Sequence, residues 1–229
     1  MRMLVEFEKT ERIRHLGLLD MQRTVQRALR RSDLPIAYSN GFNPHILMSF
    51  ASALSSGIPG DAEILDVTLD GEVTEEEALA ALRGAMPEMM PVRRIRFVDK
   101  SFKKMGALLE MAGYHFALTG DAEQIIAAIP AYLARGEIMA VRKSKSGEKL
   151  TDIRPMIHSL TGSGEEMDAV VSFTESATLK PTLLLSSLCE FAGVEVPFTM
   201  IRRTGLFGIE NGRPTPLFEI GYEQNRSCR

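Results

Sequence analysis

The chain has 229 residues, 45% hydrophobic and 25% charged, with a formal net charge of −3. That length supports one large core or two small ones, and the balance is that of a globular protein, which excludes disordered and fibrous classes. No apolar run approaches the roughly 18 residues that a membrane-crossing helix needs. The two cysteines, Cys189 within an apolar helical pattern and Cys228 next to the last residue, suit neither a disulfide framework nor a metal knuckle.

In chain order, Met1–Lys9 alternates apolar and polar residues as a half-buried strand does, and its acidic start is unlike a secretory signal. A reduced, cytoplasmic protein is expected. Leu18, Leu19, Met21, Val25, Ala28 and Leu29 follow helical spacing, and the pattern stops before Leu34-Pro35. His45–Ala53 and Ile64–Leu69 read as strands around the turn Gly57-Ile58-Pro59-Gly60. Thr74 with Glu77 forms a capping-box pattern that opens a second helix through Ala85, and Val92–Val98 reads as a strand.

The second half repeats the order. Gly113–Thr119 reads as a strand, and Asp121–Ala134 as a helix that Pro130 should kink or shorten. Glu137–Arg142 and Leu150–His158 suggest a hairpin around Lys145-Ser146-Gly147, followed by a strand at Met167–Phe173. Pro181–Phe191 reads as a helix and Phe198–Arg203 as the last strand. Two successive βαββαβ patterns predict an α+β protein of tandem ferredoxin-like domains, at residues 1–104 and 112–221, with a tail at 222–229. The second unit carries one strand more than the simple pattern.

The near-neutral total hides local charge. Residues 61–88 hold nine acids against Arg83 alone, residues 92–104 hold six bases against Asp99, and a second basic stretch runs from Arg142 to Arg154. Basic segments of this kind can meet nucleic acid, although each taken alone reads better as a solvated face.

The helix end carries Arg23, Arg27, Arg30 and Arg31, more cations than complementing a helix dipole requires. Arginine offers a planar fork of donors matched to phosphate oxygens. The loop that follows, Tyr38-Ser39-Asn40-Gly41-Phe42-Asn43-Pro44-His45, supplies small polar groups that could hold phosphate or ribose. Within it, Phe42 or Tyr38 could stack on a base. The core is the expected place for Phe42, which leaves Ser39, Asn43 and His45 as the polar candidates. Asp152-Ile153-Arg154-Pro155 and Arg202-Arg203-Thr204-Gly205 make a second candidate polar site, in which Arg154 and Arg203 would converge across a sheet or pair internally. The four histidines show no metal-ligand spacing, and no nucleophile elbow or dinucleotide loop is present. No catalytic residue is assigned, and neither metal nor cofactor is expected.

The residues from Asp20 to Glu63 resemble an uncharacterised domain found beside, or fused to the C-terminus of, certain radical SAM proteins. The likeness rests on Asp20, Arg23, Arg27-Ala28-Leu29-Arg30-Arg31, Leu34-Pro35-Ile36-Ala37-Tyr38-Ser39 and Gly41-Phe42-Asn43-Pro44-His45, and continues through Ser49-Phe50-Ala51 to Gly57 and Glu63. Asp152-Ile153-Arg154-Pro155 and Arg203-Thr204-Gly205 resemble second-half motifs of the same family. Members carry Ser-His-Leu-Asp where this chain has Gly17-Leu18-Leu19-Asp20, so the histidine is missing at that position.

The resemblance implies an accessory protein that binds RNA, tRNA or rRNA, for a radical SAM enzyme on a separate chain. Two distant cysteines cannot themselves hold an iron–sulfur cluster. Two alternatives stay open. One is an RNA-processing or modifying enzyme in its own right, with His45 or His15 as general base. The other is a module that docks a radical SAM enzyme through the acidic segment without binding RNA.

Overall fold

The computed structural model describes residues 1–144 and 147–222, and shows an α+β protein. The chain divides into two compact units. Met1–Leu109 forms the first together with the chain from Gly205 onwards, and Glu110–Thr204 forms the second. The return of the chain to the first unit after Thr204 is invisible to a linear reading of strand and helix patterns.

In the first unit β1 (Arg2–Lys9) lies between β4 (Val92–Val98) and β3 (Gly60–Thr68), antiparallel to both, and the short β2 (Met48–Phe50) pairs with β3. Helices α1 (Leu18–Arg31) and α2 (Glu75–Ala85) belong to this unit. Met3, Val5 and Phe7 of β1 enter one core with Val25 and Leu29 of α1, Leu65 and Val67 of β3, and Leu82 of α2. Burial of each such side chain contributes on the order of 2 kcal/mol.

The start of α2 is fixed by a complete capping box. Thr74 Oγ1 accepts the Glu77 N–H at 3.2 Å, and the Thr74 N–H donates to Glu77 Oε2 at 3.0 Å. At the other end of α1, Ser32 donates both its N–H and its hydroxyl to the Leu29 carbonyl, and Asp33 takes a positive φ of 56°. Leu34-Pro35 then prevents continuation.

The expected strand His45–Ala53 forms only over the three residues of β2, because the preceding loop folds back on itself. The far end of the first unit gains strand segments that sequence patterns did not suggest. β10 (Met200–Glu210) runs well past the expected end at Arg203, and its last residues pair with β11 (Arg213–Pro216).

In the second unit β9 (Glu166–Ser172) lies between β5 (Met111–Ala117) and β8 (Ile157–Ser163). The expected strand Leu150–His158 is two strands. A 3-10 turn at Arg154–Met156 separates β7 (Gly147–Asp152) from β8, and β7 pairs with β6 (Met139–Ser144) in a hairpin of its own. Pro155 within that turn cannot sustain a continuous ladder.

Helix α4 (Ala122–Leu133) accommodates Pro130 in its last turn, and α5 (Pro181–Ala192) ends at Gly193, whose φ of 72° suits a residue without a Cβ. The Tyr132 and Phe191 rings meet at 5.4 Å, and the Tyr132 hydroxyl donates to Ser187 Oγ at 2.9 Å. A short helix, α3 (Met105–Leu108), precedes β5. The hairpin tip Lys145-Ser146 and residues 223–229 of the expected tail lie outside the described residues. No described helix is long and apolar enough to cross a membrane.

Candidate functional site

Helix α1 turns Met21, Val25, Ala28 and Leu29 into the core, and this fixes which residues face water. Arg23, Arg27, Arg30 and Arg31 are all exposed. Arg23 stands 3.6 Å from Asp20 one turn earlier, a pair between two well-exposed groups that is worth little. Arg31 donates to the Ala85 carbonyl at 2.9 Å, where it caps the last turn of α2. Arg27 and Arg30 take part in none of the ion pairs seen among the described residues. Of the four arginines, these two keep the whole guanidinium for an external anion.

The loop after α1 is a closed, self-supporting turn. Tyr38 and Ile46 form an isolated antiparallel bridge, and the Ser39 N–H donates to the His45 carbonyl at 2.9 Å. Ser39 Oγ accepts the His45 N–H at 3.1 Å and lies 2.8 Å from His45 Nδ1. In that second contact either the hydroxyl or the ring nitrogen can be the donor, according to the imidazole tautomer. The clip holds Asn40, Gly41, Phe42, Asn43 and Pro44 clear of the body, and all five are exposed.

Phe42 is not a core residue, contrary to expectation. Its relative exposure is 111%, the extreme for a large apolar side chain here, and Tyr38 is 45% exposed. The reason is visible in its neighbours. Asn40-Gly41 on one side and Asn43-Pro44 on the other are turn formers, and Gly41 adopts φ 122°, so Phe42 falls at the tip. An aromatic ring held at a loop tip by hydrogen bonds beneath it is ready to stack.

Beside α1, Leu18 and Gln22 with Ser49, Phe50 and Ser52 line a hollow of about 260 Å³. Ser52 Oγ is buried there with no hydrogen-bond partner among the described residues.

Residues 2–181 match the model of a family described as an uncharacterized protein conserved in bacteria, DUF2344. The chain belongs to this family. The match takes in α1, the 38–45 loop and Arg154, and ends at the first residue of α5, so Arg203 lies beyond it. Its description names no activity and no partner. No curated protein matches the chain.

The second-half candidates are placed differently from the first. Arg154 Nε donates to the Leu133 carbonyl at the end of α4 at 3.0 Å, and Nη1 reaches the Ile157 carbonyl at 3.4 Å. It therefore closes a helix C-terminus. Arg203 is only 1% exposed, with its guanidinium 5.7 Å from the centre of the Phe173 ring. Neither side chain is free to meet a polyanion, and Asp152 takes up the Ile138 and Arg154 N–H groups instead of an arginine side chain.

The basic run 92–104 is also largely used internally. Arg93 pairs with Glu8 at 3.4 Å, Arg94 with Glu6 at 2.9 Å and with Glu219, and Lys104 with Asp66 at 3.5 Å. Arg96 is 3% exposed, sits among Phe102, Phe218 and Tyr222, and donates to the Ile220 carbonyl at 2.7 Å. Burial lowers its pKa below the usual arginine value, with Glu219 acting in the opposite direction. Sequence alone could not separate these bases from the free pair on α1, because their acidic partners come from β1, β3 and the chain beyond Gly205.

Proposed function

We propose that this protein is an accessory factor that binds RNA, of the tRNA or rRNA class, and presents it to a radical SAM enzyme on a separate chain. The observation that carries the RNA reading is Phe42, a fully exposed ring on a loop braced by Ser39 and His45. Seven residues upstream of Tyr38, α1 ends in the arginine cluster that contains the unpaired Arg27 and Arg30.

A stacking ring with phosphate-binding arginines is how single-stranded or looped RNA is held without a deep pocket. The exposed His45 ring and the Asn43 amide supply polar groups for a ribose or phosphate oxygen. The radical SAM partner rests on the resemblance through Arg27–Arg31 and Gly41–His45 alone. We further infer a ferredoxin-like arrangement for each unit. In the first, the order β4-β1-β3-β2 with two helices supports this; in the second, the β6–β7 hairpin would be an insertion into the same plan.

The test is filter binding of bulk tRNA and rRNA fragments at 50 and 200 mM salt. Stacking on one base contributes about 1–3 kcal/mol, so Phe42→Ala should weaken binding by roughly 5- to 150-fold while Phe42→Tyr retains it. Each phosphate contact on a single strand contributes about 0.7 to the log–log salt slope, so Arg27→Gln with Arg30→Gln should lower the slope by about 1.4. Absence of RNA binding at 50 mM salt, or affinities unmoved by these changes, overturns the reading.

The 2.8 Å contact between Ser39 Oγ and His45 Nδ1 also favours one alternative, in which the same loop cleaves or modifies RNA and His45 moves a proton. RNA turnover by the purified chain that disappears in His45→Ala, with RNA binding retained, would select it.

A further inference from the structure

Within the second unit, the β6–β7 hairpin and the start of α5 enclose a cleft of about 540 Å³. Small-molecule sites commonly span about 300–1,000 Å³. The lining carries one sign of charge. Arg142 comes from β6, Lys149 from β7 and Lys180 from the residue before α5, and none of the described lining residues is acidic.

Arg142 and Lys149 are partners in the hairpin register, so two cations stand directly opposite each other. Like charges in that position destabilise a strand pair unless something of opposite sign lies against them. Elsewhere the chain supplies such a partner, as Glu6 does for Arg94. Here none of the three cations takes part in the ion pairs found among the described residues. Thr182 and Ser186, one turn apart on α5, add hydroxyls, and the helix start adds the positive end of its dipole as a supplement. Val141 and Leu183 provide apolar wall.

We propose that this cleft binds a phosphate ester of nucleotide size. The phosphate lies among Arg142, Lys149 and Lys180, the Thr182 and Ser186 hydroxyls donate to its oxygens, and the organic part rests on Val141 and Leu183. A free nucleotide and the phosphorylated end of an RNA strand present this same chemistry. The inference stands apart from the RNA surface on α1 and the 38–45 loop.

The experiment is calorimetric titration of the full chain with adenosine 5′-diphosphate, inorganic pyrophosphate, adenosine, and an RNA hexamer with or without a 5′-phosphate. Phosphate-bearing probes should bind and adenosine should not. Arg142→Gln with Lys180→Gln should weaken binding at least 10-fold, while Lys180→Arg restores most of it. Lys149→Glu provides a second test should the double variant fold poorly, and circular dichroism checks each fold.

Tighter binding of the diphosphate than of either hexamer identifies a free nucleotide as the ligand. Tighter binding of the 5′-phosphorylated hexamer than of its 5′-hydroxyl form and of the diphosphate identifies an RNA end. Arg27→Gln with Arg30→Gln should leave the titrations with adenosine 5′-diphosphate and pyrophosphate unchanged, which separates this site from the RNA surface. No binding of any phosphate compound at 5 mM, or equal binding by wild type and the Arg142 and Lys180 variants, overturns the proposal.

Discussion

Replacing Asp66 by Asn should destabilise the first unit by about 3 kcal/mol, the low end of the range for removing one partner of a buried ion pair. Arg2 and Asp66 are 3% and 1% exposed, and they meet in a two-point contact, Nε to Oδ1 at 3.0 Å and Nη2 to Oδ2 at 2.6 Å. Arg2 also donates to the Phe102 carbonyl and, at 3.3 Å, to that of Lys103, which ties β1 to the chain after β4. The Asn variant keeps the shape and one acceptor but leaves the guanidinium charge buried against carbonyls alone. Arg2→Met should cost a similar amount, partly relieved because Lys104 still stands 3.5 Å from Asp66.

The pair of changes together should cost clearly less than the sum, with a coupling of about 2 kcal/mol. Urea unfolding followed by far-UV circular dichroism is the assay, since the chain has no tryptophan. Burial screens this pair poorly, so the coupling should persist at 1 M salt. A coupling below about 0.5 kcal/mol, the size expected of exposed pairs, would refute the assignment of this pair as a buried tie.

Three further outcomes are expected. Thr74→Ala should cost about 1 kcal/mol by removing the α2 cap, seen as a lower urea midpoint. Both hydrogen bonds from Thr74 hold the Glu77 carboxyl below its ordinary value of 4.5, so its contribution is present above that value and fades as pH falls through the lowered one. Thr74→Ala removes the hydroxyl donor and keeps the N–H, so it should reduce that part of the acid dependence without abolishing it, as acid titrations of the two proteins would show. Burial pushes the Cys189 thiol up and the residue is fully enclosed, so in a Cys228→Ser background a thiol reagent should label it only as fast as the second unit opens. Arg31→Ala should lower stability by about 1 kcal/mol through the lost contact with the Ala85 carbonyl, with less effect on RNA binding than Arg30→Ala.

The helices were the most legible part of the fold. Leu18–Arg31 announces itself by spacing and by its stop at Leu34-Pro35, and α2 by the Thr74–Glu77 pattern. These signals are local, so a sequence carries them whole. The split of Leu150–His158 into β7 and β8 was less visible because its cause is tertiary. Arg154 reaches the end of α4, and the turn at Arg154–Met156 follows from that contact and from Pro155. Phe42 shows the opposite failure. Hydrophobicity alone points Phe42 to the core, although the turn formers on both sides of it argue for a tip.

The charge pattern explains why the free cations could not be read from the sequence. The run 92–104 has the densest bases, and strand β4 places Arg94 and Arg96 on neighbouring turns of the pleat, where β1 and the chain beyond Gly205 supply Glu6, Glu219 and an aromatic enclosure. Those bases are structural because partners distant in sequence reach them. Arg27 and Arg30 take part in no ion pair among the described residues: one turn before Arg27 stands Arg23, already opposite Asp20, and Asp33, three residues after Arg30, lies beyond the helix end. Lys180 drew no notice in the sequence, being a single base before a proline, yet the fold brings it beside Arg142 and Lys149. Available positive charge is thus a property of pairing and not of composition. A segment count that ranks 92–104 first ranks the candidate binding residues in reverse.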